Sequence, residues 1–491
     1  MDLSTVLFTL GVDKAGAPLN LTIGLTIGLI GIIVSFVLFL LLVYKGWSSY
    51  WVAPLAAILV ALTNAIDPLK AFEATYIKGM TDLIFELFSI IFLGAIFGKV
   101  FTDTGAASSL AKTLTDRFIV KFKGPAQVRV ALLCLMVIAG ACTMGGIDGF
   151  VLIFSLFPVC MIIAEMVNIP RRFVPGMLCL NVAFMTMPGA PQIYNVIGIG
   201  AAKQAAGLKG LSAVQGDILK NLTSTAGLIP GVIACIVIAI VAYLVLSQMI
   251  IKAMSKGEVF EYGSVRRFEV VERKLPNVFV AILPLLTVFI MYTILNLNIA
   301  IALASGILVN IIVMYVYIEK KDQFNLPITR KRALMNSLNA GANSYPNALM
   351  TIITPAGLAA VVGSTAAYML ITNALGMLAI DPIWLTLILV CVVVGLTSSP
   401  PAALMLALPV IMAVIARTGS PVNPAHITRV AIIAASTFET LPVNGLVIVA
   451  LGLAHVNHKQ GYKPMFYMTV LITLLGSIVA AALFYFFPGL S

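Results

Sequence analysis

"STFETLPVNG", residues 436–445, interrupts a run that otherwise reads as a membrane span. It sets an acid, Glu439, where hydrocarbon is expected, and stops the helix at Pro442. Proline removes an intrahelical hydrogen bond, and a mid-span carboxylate costs about 2.5–3.5 kcal/mol on insertion scales. Such a break is tolerated only where protein or water covers the freed backbone groups. A second stretch, "VAFMTMPGAP" at 182–191, breaks another apolar run in the same way. Phe184, Thr186 and Pro188 answer to Phe438, Thr440 and Pro442, and each Phe lies fourteen residues after another proline, Pro170 or Pro424. The paired breaks raise the expectation of an internal repeat.

Composition sets the class. The chain has 491 residues, 61% hydrophobic and 10% charged, with a mean hydropathy of +1.08. Soluble proteins carry about 25% charged residues. Many runs exceed the ~18 apolar residues of a spanning helix, so the reading is an all-α polytopic membrane protein embedded in the lipid bilayer. The net charge of +11 is no nucleic-acid signal, because the basic residues fall in short loops between spans. All six cysteines lie in apolar stretches without metal-type spacing, which supports neither a disulfide framework nor a zinc site. No phosphate-loop sequence occurs, so ATP-driven transport has no support. No cofactor is implied. The first apolar run lacks a basic segment before it and reads as a retained span rather than a signal peptide.

Ten spans are expected, at 22–44, 51–66, 82–101, 174–200, 225–248, 277–296, 298–318, 342–370, 425–455 and 466–487. Residues 129–163 and 384–416 fit differently. Each has two apolar arms of about fifteen residues around a polar or proline-rich centre, "CTMGGIDGF" or "GLTSSPPAA". They read as re-entrant helical hairpins. With the N-terminus outside and both hairpins returning to the side they entered from, twenty of the thirty Lys and Arg residues fall inside and seven outside. That is the bias of the positive-inside rule. The halves 1–248 and 277–491 then have the same element order in opposite orientation, joined by a basic linker at 249–276. Inverted repeats of this kind hold substrate and ion sites near the midplane, on broken helices.

Broken helices expose N–H groups that favour anions and carbonyls that favour cations. The first half offers Thr143, Gly145, Gly146 and Asp148 at its hairpin tip, with Thr186, Gly189, Gln192 and Asn195 at its broken span. The second offers Thr397, Ser398 and Ser399, with Glu439, Thr440 and Asn444. Thr143, Gly145, Gly146, Thr186, Gln192, Thr397, Ser398, Thr440 and Asn444 are the expected substrate cage. So many hydroxyls and amides suit a hydroxylated anion. Glu439, then Asp148, are the expected proton carriers, and the competing reading of Glu439 is a structural acid bonded to exposed backbone. Lys99 and Arg129 read as snorkelling cations, Arg429 as a span-end residue, Glu165 as a partner of Arg171 or Arg172, and His455 and His458 as interfacial. No catalytic residue set lies at common depth, so an enzyme is not expected.

Four stretches carry a family resemblance: "FLGAIFGKVFTDTGAASSLAKTL" (92–114), "IPRRFVPGML" (169–178), "TMPGAPQIYNVI" (186–197) and "STFETLPVNGLVIVALGLAHVNHKQGYK" (436–463). The chain resembles the gluconate permease (GntP) family of gluconate:proton symporters, within the wider ion transporter superfamily. The resemblance implies proton-coupled import of gluconate or a related hydroxylated monocarboxylate, of sugar-acid or 3-hydroxybutyrate type, across the cytoplasmic membrane. It also implies a homodimer with a fixed scaffold and an elevator-like transport domain. Glu439 stands where the family usually has Asp, Val443 where it has His, and "GLTSSPPAALMLAL" replaces its glycine- and serine-rich hairpin tip. A sodium-coupled carboxylate carrier or a cation/proton antiporter on the same scaffold is the alternative.

Overall fold

The computed structural model describes Ser4 and residues 6–12, 18–45, 47–147, 149–263, 265, 274–320, 326–375, 380–397, 399–442 and 444–490. The described chain is mostly helical. The all-α expectation fails only at the start, where β1 (Val6–Val12) pairs antiparallel with β2 (Pro18–Thr22). Valine, leucine and threonine there carry no helical period, and the ribbon forms ahead of the first span.

The first half opens with α1 (Ile23–Tyr44) packed on α2 (Ser49–Thr63). Next come α3 (Pro68–Lys70), a π-helical stretch at Ala71–Tyr76 and α4 (Ile77–Asp103). This third helical run starts well before the expected 82, because the Asp67 side chain caps it by accepting from Lys70 N at 2.9 Å. Then follow α5 (Ala106–Arg117), the pair α6 (Gly124–Met144) and α7 (Gly149–Val167), α8 (Val174–Leu178), α9 (Val182–Met185), α10 (Ile193–Gln204), α11 (Ala213–Lys220) and α12 (Leu228–Met254).

α13 (Val278–Phe289) runs on through a π turn at Ile290–Ile294, and α14 (Ile299–Met314) follows. The next elements are α15 (Arg330–Gly363), α16 (Ala366–Leu375) and the pair α17 (Pro382–Thr397) and α18 (Pro400–Thr418). Last come α19 (Pro424–Ala434), α20 (Gly445–Leu453), α21 (His458–Phe466), a π turn at Tyr467–Leu471 and α22 (Ile472–Phe486). The short helices α11 and α21 even start alike. Each has a full capping box, Ser212 with Gln215 and Asn457 with Gln460.

Two expectations need correction. Of the arms of the two expected hairpins, α17 with 16 residues agrees with the expected fifteen, whereas α6, α7 and α18 are longer, at 21, 19 and 19 residues. Polar ends such as Gly124–Arg129 continue the helix although they fall outside the apolar run. The span expected at 342–370 is a 34-residue helix that begins at Arg330 and ends at Gly363. Thr329 caps its start, its side chain accepting from Arg332 N at 3.3 Å. Of the described helices, α6, α12 and α18 and the runs Ile299–Tyr317 and His458–Phe486 are each long and apolar enough to cross a bilayer. A sixth crossing follows if Pro68–Phe85 and Leu87–Asp103, bent by 51°, make one span.

α4 and α15 run antiparallel. Along α4 and α15, Ser337 donates to Asp103 at 2.7 Å, the Phe92 and Phe88 rings meet Tyr345 at 5.3 and 5.5 Å, and the Tyr76 hydroxyl, one turn ahead of α4, reaches Thr354 O at 3.0 Å. Numbers fall on one helix as they rise on the other. The two backbones touch at Gly341, where an added Cβ would lie 2.6 Å from Ile96 Cα. α12 and α22 pair in the same sense, Ile238 against Gly476 and Gly227 against Phe484. One large core runs through α4–α22, and a smaller one joins α1, α2 and the end of α15 around Phe36, Val60 and Val361.

The linker folds back on the first half. Arg172 grips Glu258 through Nε at 2.6 Å and Nη2 at 2.8 Å. Glu165 accepts from the Tyr262 hydroxyl at 2.7 Å, and Arg171 donates to Tyr262 O at 2.6 Å. Arg172 holds the Glu258 carboxyl below the usual carboxylate range.

Candidate functional site

The helix that ends at Met185 resumes at Ile193, and the one that ends at Ala434 resumes at Gly445. The two motif phenylalanines pack alike. An added Cβ on Gly140 would lie 2.7 Å from Phe184, and one on Gly395 would lie 3.8 Å from Phe438. The motif threonines also pack alike, each on the last long helical run of its half. Thr186 Oγ1 meets Cys235 Sγ at 3.8 Å, and Thr440 Oγ1 is hydrogen-bonded to Thr469 Oγ1.

Gln192 ties the first break to the first hairpin tip. Its Nε2 donates to Thr143 O at 2.7 Å and to Ile147 O at 3.2 Å, with the side chain 2% exposed. Thr143 spends its own hydroxyl on Ala139 O at 2.8 Å. Gly145 and Gly146 lie against α13, where added Cβ atoms would fall 2.4 Å from Leu285 and 2.9 Å from Val288. Gly146 also has φ +85°, which a side chain would strain. Asn444 caps α20 by accepting from Leu446 N at 2.8 Å. Asp148, Ser398 and Val443, and the side chain of Thr397, lie outside the described residues. Within α17, Cys391 Sγ reaches Thr437 Oγ1 at 3.4 Å, beside the second break.

The two breaks meet through residues the sequence reading passed over. Tyr194, on α10, donates its hydroxyl to Glu439 Oε2, so an acid of the second half is held by a phenol of the first. The only cue was position, an aromatic hydroxyl two residues past Gln192 in a break. Arg429, midway along α19, is fully buried against the first break and the loop at 221–227, not at a span end. Its Nε donates to Ala226 O at 2.7 Å, Nη1 to Asn195 Oδ1 at 2.6 Å and Thr186 O at 3.2 Å, and Nη2 to Ser224 O at 2.6 Å. Four of its five N–H groups are thus bonded to neutral acceptors. Asn195 in turn donates to Met187 O and Ala190 O, both at 3.0 Å. The arginine closes the loop around the first break and leaves its positive charge inside the protein.

Glu439 lines a cavity of about 20 Å³ with Cys179, Asn181, Met185, Thr440 and Thr469. That is the size of one water site, far below the 300–1,000 Å³ of a ligand pocket. A larger cavity of about 780 Å³, with Lys99, Asp103, Asn336, Asn339 and Asn343 in its wall, lies away from the breaks, between α4 and α15. Lys99 pairs there with Asp103 at 2.8 Å. His458 Nε2 lies 3.0 Å from Pro442 O, and the Tyr462 hydroxyl donates to Thr440 O at 3.0 Å, so α21 braces the second break. Among the described residues no group of His, Cys, Asp or Glu is placed to hold a metal ion.

Stacked apolar helices interrupted by buried polar breaks define a multi-pass membrane protein. The chain shares its fold with the YdaH transporter of Alcanivorax borkumensis, whose crystal structure has an unusual topology: the TM-score is 0.54 at 14% identity, over 87% of this chain and 90% of that one. The MtrF structure of Neisseria gonorrhoeae, from a class of antimetabolite efflux pumps, matches at a TM-score of 0.41 and 12% identity, over 85% of this chain and 84% of that one, below the level at which a shared fold follows. An uncharacterized transporter of Bacillus subtilis, YxjC, is 35% identical over 173 residues, which spans about a third of its length and of this chain (35% and 34%). No family model matches the chain.

Proposed function

We propose that the chain is a proton-coupled symporter for a small hydroxylated monocarboxylate of gluconate or 3-hydroxybutyrate type. The observation that carries the proposal is Glu439, a carboxyl group at a helix break in an apolar protein, held across the two halves by Tyr194 and opening on an enclosed cavity. An intramembrane acid beside a cavity the size of one water site is suited to load and release a proton. Arg429 and the helix starts at Ile193 and Gly445 make the surroundings favourable to an anion. The transporter relative from Bacillus subtilis and the resemblance of the quoted motifs to gluconate permeases support the same class.

Two inverted repeats, 1–248 and 277–491, are the arrangement we infer for the coupling. The recurring element order, the paired capping boxes and the antiparallel courses of α4 with α15 and α12 with α22 support it. In this arrangement the helix pairs α6/α7 and α17/α18 and the two broken helices form an elevator-like transport domain in the cytoplasmic membrane, and two copies form the working dimer. The tightly packed site corresponds to an occluded state. Thr143, Thr186, Gln192 and Thr440 exchange their present partners for substrate when it opens, Asn444 and the glycines at 145 and 146 shape the wall, and Thr397, Ser398 and Asp148 complete the cage.

The test is uptake of labelled gluconate and 3-hydroxybutyrate into proteoliposomes under an imposed proton gradient without sodium, in wild type and Glu439→Gln. Accumulation that the variant loses while it retains substrate exchange supports the proposal. A requirement for sodium would instead favour the sodium-coupled reading, and a variant that still concentrates substrate returns Glu439 to a structural role.

A further inference from the structure

Residues just past α14 and at the start of α15 line a basic cleft that transport at the breaks does not use. α14 leads to it along one exposed apolar stripe. Ile301, Leu308, Ile312 and Val316 are 54%, 59%, 69% and 57% exposed, and their spacing keeps them on a single helix face. In a membrane protein such a face meets acyl chains. Beside Val316 the stripe ends at a cleft of about 870 Å³ whose wall includes Tyr315, Lys320, Thr329, Arg330, Lys331 and Arg332. Four cations and no carboxylate line it. None of the four makes an ion pair among the described residues. Glu319, the nearest acid in sequence, lines the neighbouring cavity with Lys99 and Asp103, a cavity that Arg332 borders as well, so Lys320, Arg330 and Lys331 face the basic cleft alone. The intervening residues 321–325 hold one Lys and one Asp and add no net charge.

Four like charges at one cleft repel one another, and an anion relieves that repulsion. We propose that the cleft binds the phosphate headgroup of an anionic phospholipid whose acyl chains lie along the α14 stripe. A soluble phosphate would satisfy the cations alone, whereas the stripe gives a lipid a second set of contacts. The aromatic ring of Tyr315 lies at the border between the two, the usual place for tyrosine at a membrane interface.

Native mass spectrometry of the detergent-solubilised full chain tests this. It would be titrated with phosphatidylglycerol, with phosphatidylcholine of the same chain length, and with inorganic phosphate. Phosphatidylglycerol should bind in preference to phosphatidylcholine. In the variant Arg330→Gln/Lys331→Gln/Arg332→Gln that binding should weaken on the order of a hundredfold, from roughly a tenfold loss per 1.4 kcal/mol and about 1 kcal/mol per cation. Equal binding of both lipids, or binding unchanged in the triple variant, overturns the proposal. Displacement of the lipid by equimolar inorganic phosphate identifies a soluble anion as the ligand and overturns it too. Arg330→Lys/Arg332→Lys keeps every charge and serves where the neutral variant does not fold. It should bind phosphatidylglycerol as wild type does, and loss of binding there sinks the electrostatic basis.

Discussion

Arg429 shows how one side chain can tie a helix break to the loop that covers it. Its guanidinium replaces the water that Thr186 O, Ser224 O and Ala226 O would otherwise need. Arg429→Met keeps volume but strips those acceptors of their donors at a cost of about 1–3 kcal/mol each. The expected outcome is a protein that melts far below wild type or does not accumulate, read by thermal unfolding in detergent; a wild-type melting curve would show that the breaks hold without it. Tyr194→Phe is milder. It removes one hydroxyl from Glu439 and leaves the ring in place, so folding should persist while the pH dependence of uptake moves. An unchanged pH profile would mean that Tyr194 only packs. The breaks at 186 and 439 were legible because proline and a buried acid are conspicuous in an apolar run. The residues bracing them were not, since Arg429 stands five residues after Pro424 like any span-end cation. Its burial follows from the 221–227 loop that closes over it, which no local pattern announces.

Helices were easier to read than their ends. Hydropathy located the long runs but not their polar starts, in the third run and in α6 as well as in α15, where residues 330–347 hold a helix through their cap and their contact with α4 rather than through apolarity. That contact is testable. Gly341→Val forces a branched side chain into the backbone of Ile96 and should cost about 2–3 kcal/mol. Gly452→Ala in α20, with nothing within 4 Å of its added Cβ, should instead stabilise by about 0.5–1 kcal/mol. Thermal melts of the two variants should move in opposite directions, and a common direction would contradict the packing. The linker contact carries a pH signature. With its folded-state value depressed by Arg172, Glu258 contributes stability above its unfolded value near about 4.3 and loses it as pH falls through the folded value. Both side chains are about a third exposed, so the effect stays under about 1 kcal/mol. Glu258→Gln should remove that acid-side slope in pH-dependent melts and leave neutral-pH uptake alone.

At the scale of the molecule the question is whether the small space beside Glu439 opens. All six cysteines are buried, and Cys179 is in the wall of that space. A chain with the other five changed to serine therefore carries a single reporter at the point where a substrate would have to enter. The closed packing requires that Cys179 resist a membrane-impermeant maleimide at rest, because about 20 Å³ admits no reagent of that size. A transporter must also populate a state in which the site meets one side of the membrane, and a ligand that prefers this state shifts the population toward it. Adding substrate with a proton gradient should raise the rate of Cys179 labelling several-fold, and Glu439→Gln should abolish the gradient's contribution without abolishing the substrate's. Labelling that stays slow under every gradient and substrate would mean the breaks never open to water. Glu439, Tyr194 and Arg429 would then form a structural knot, and the path across the membrane would have to be sought elsewhere, beginning with the cavity between α4 and α15.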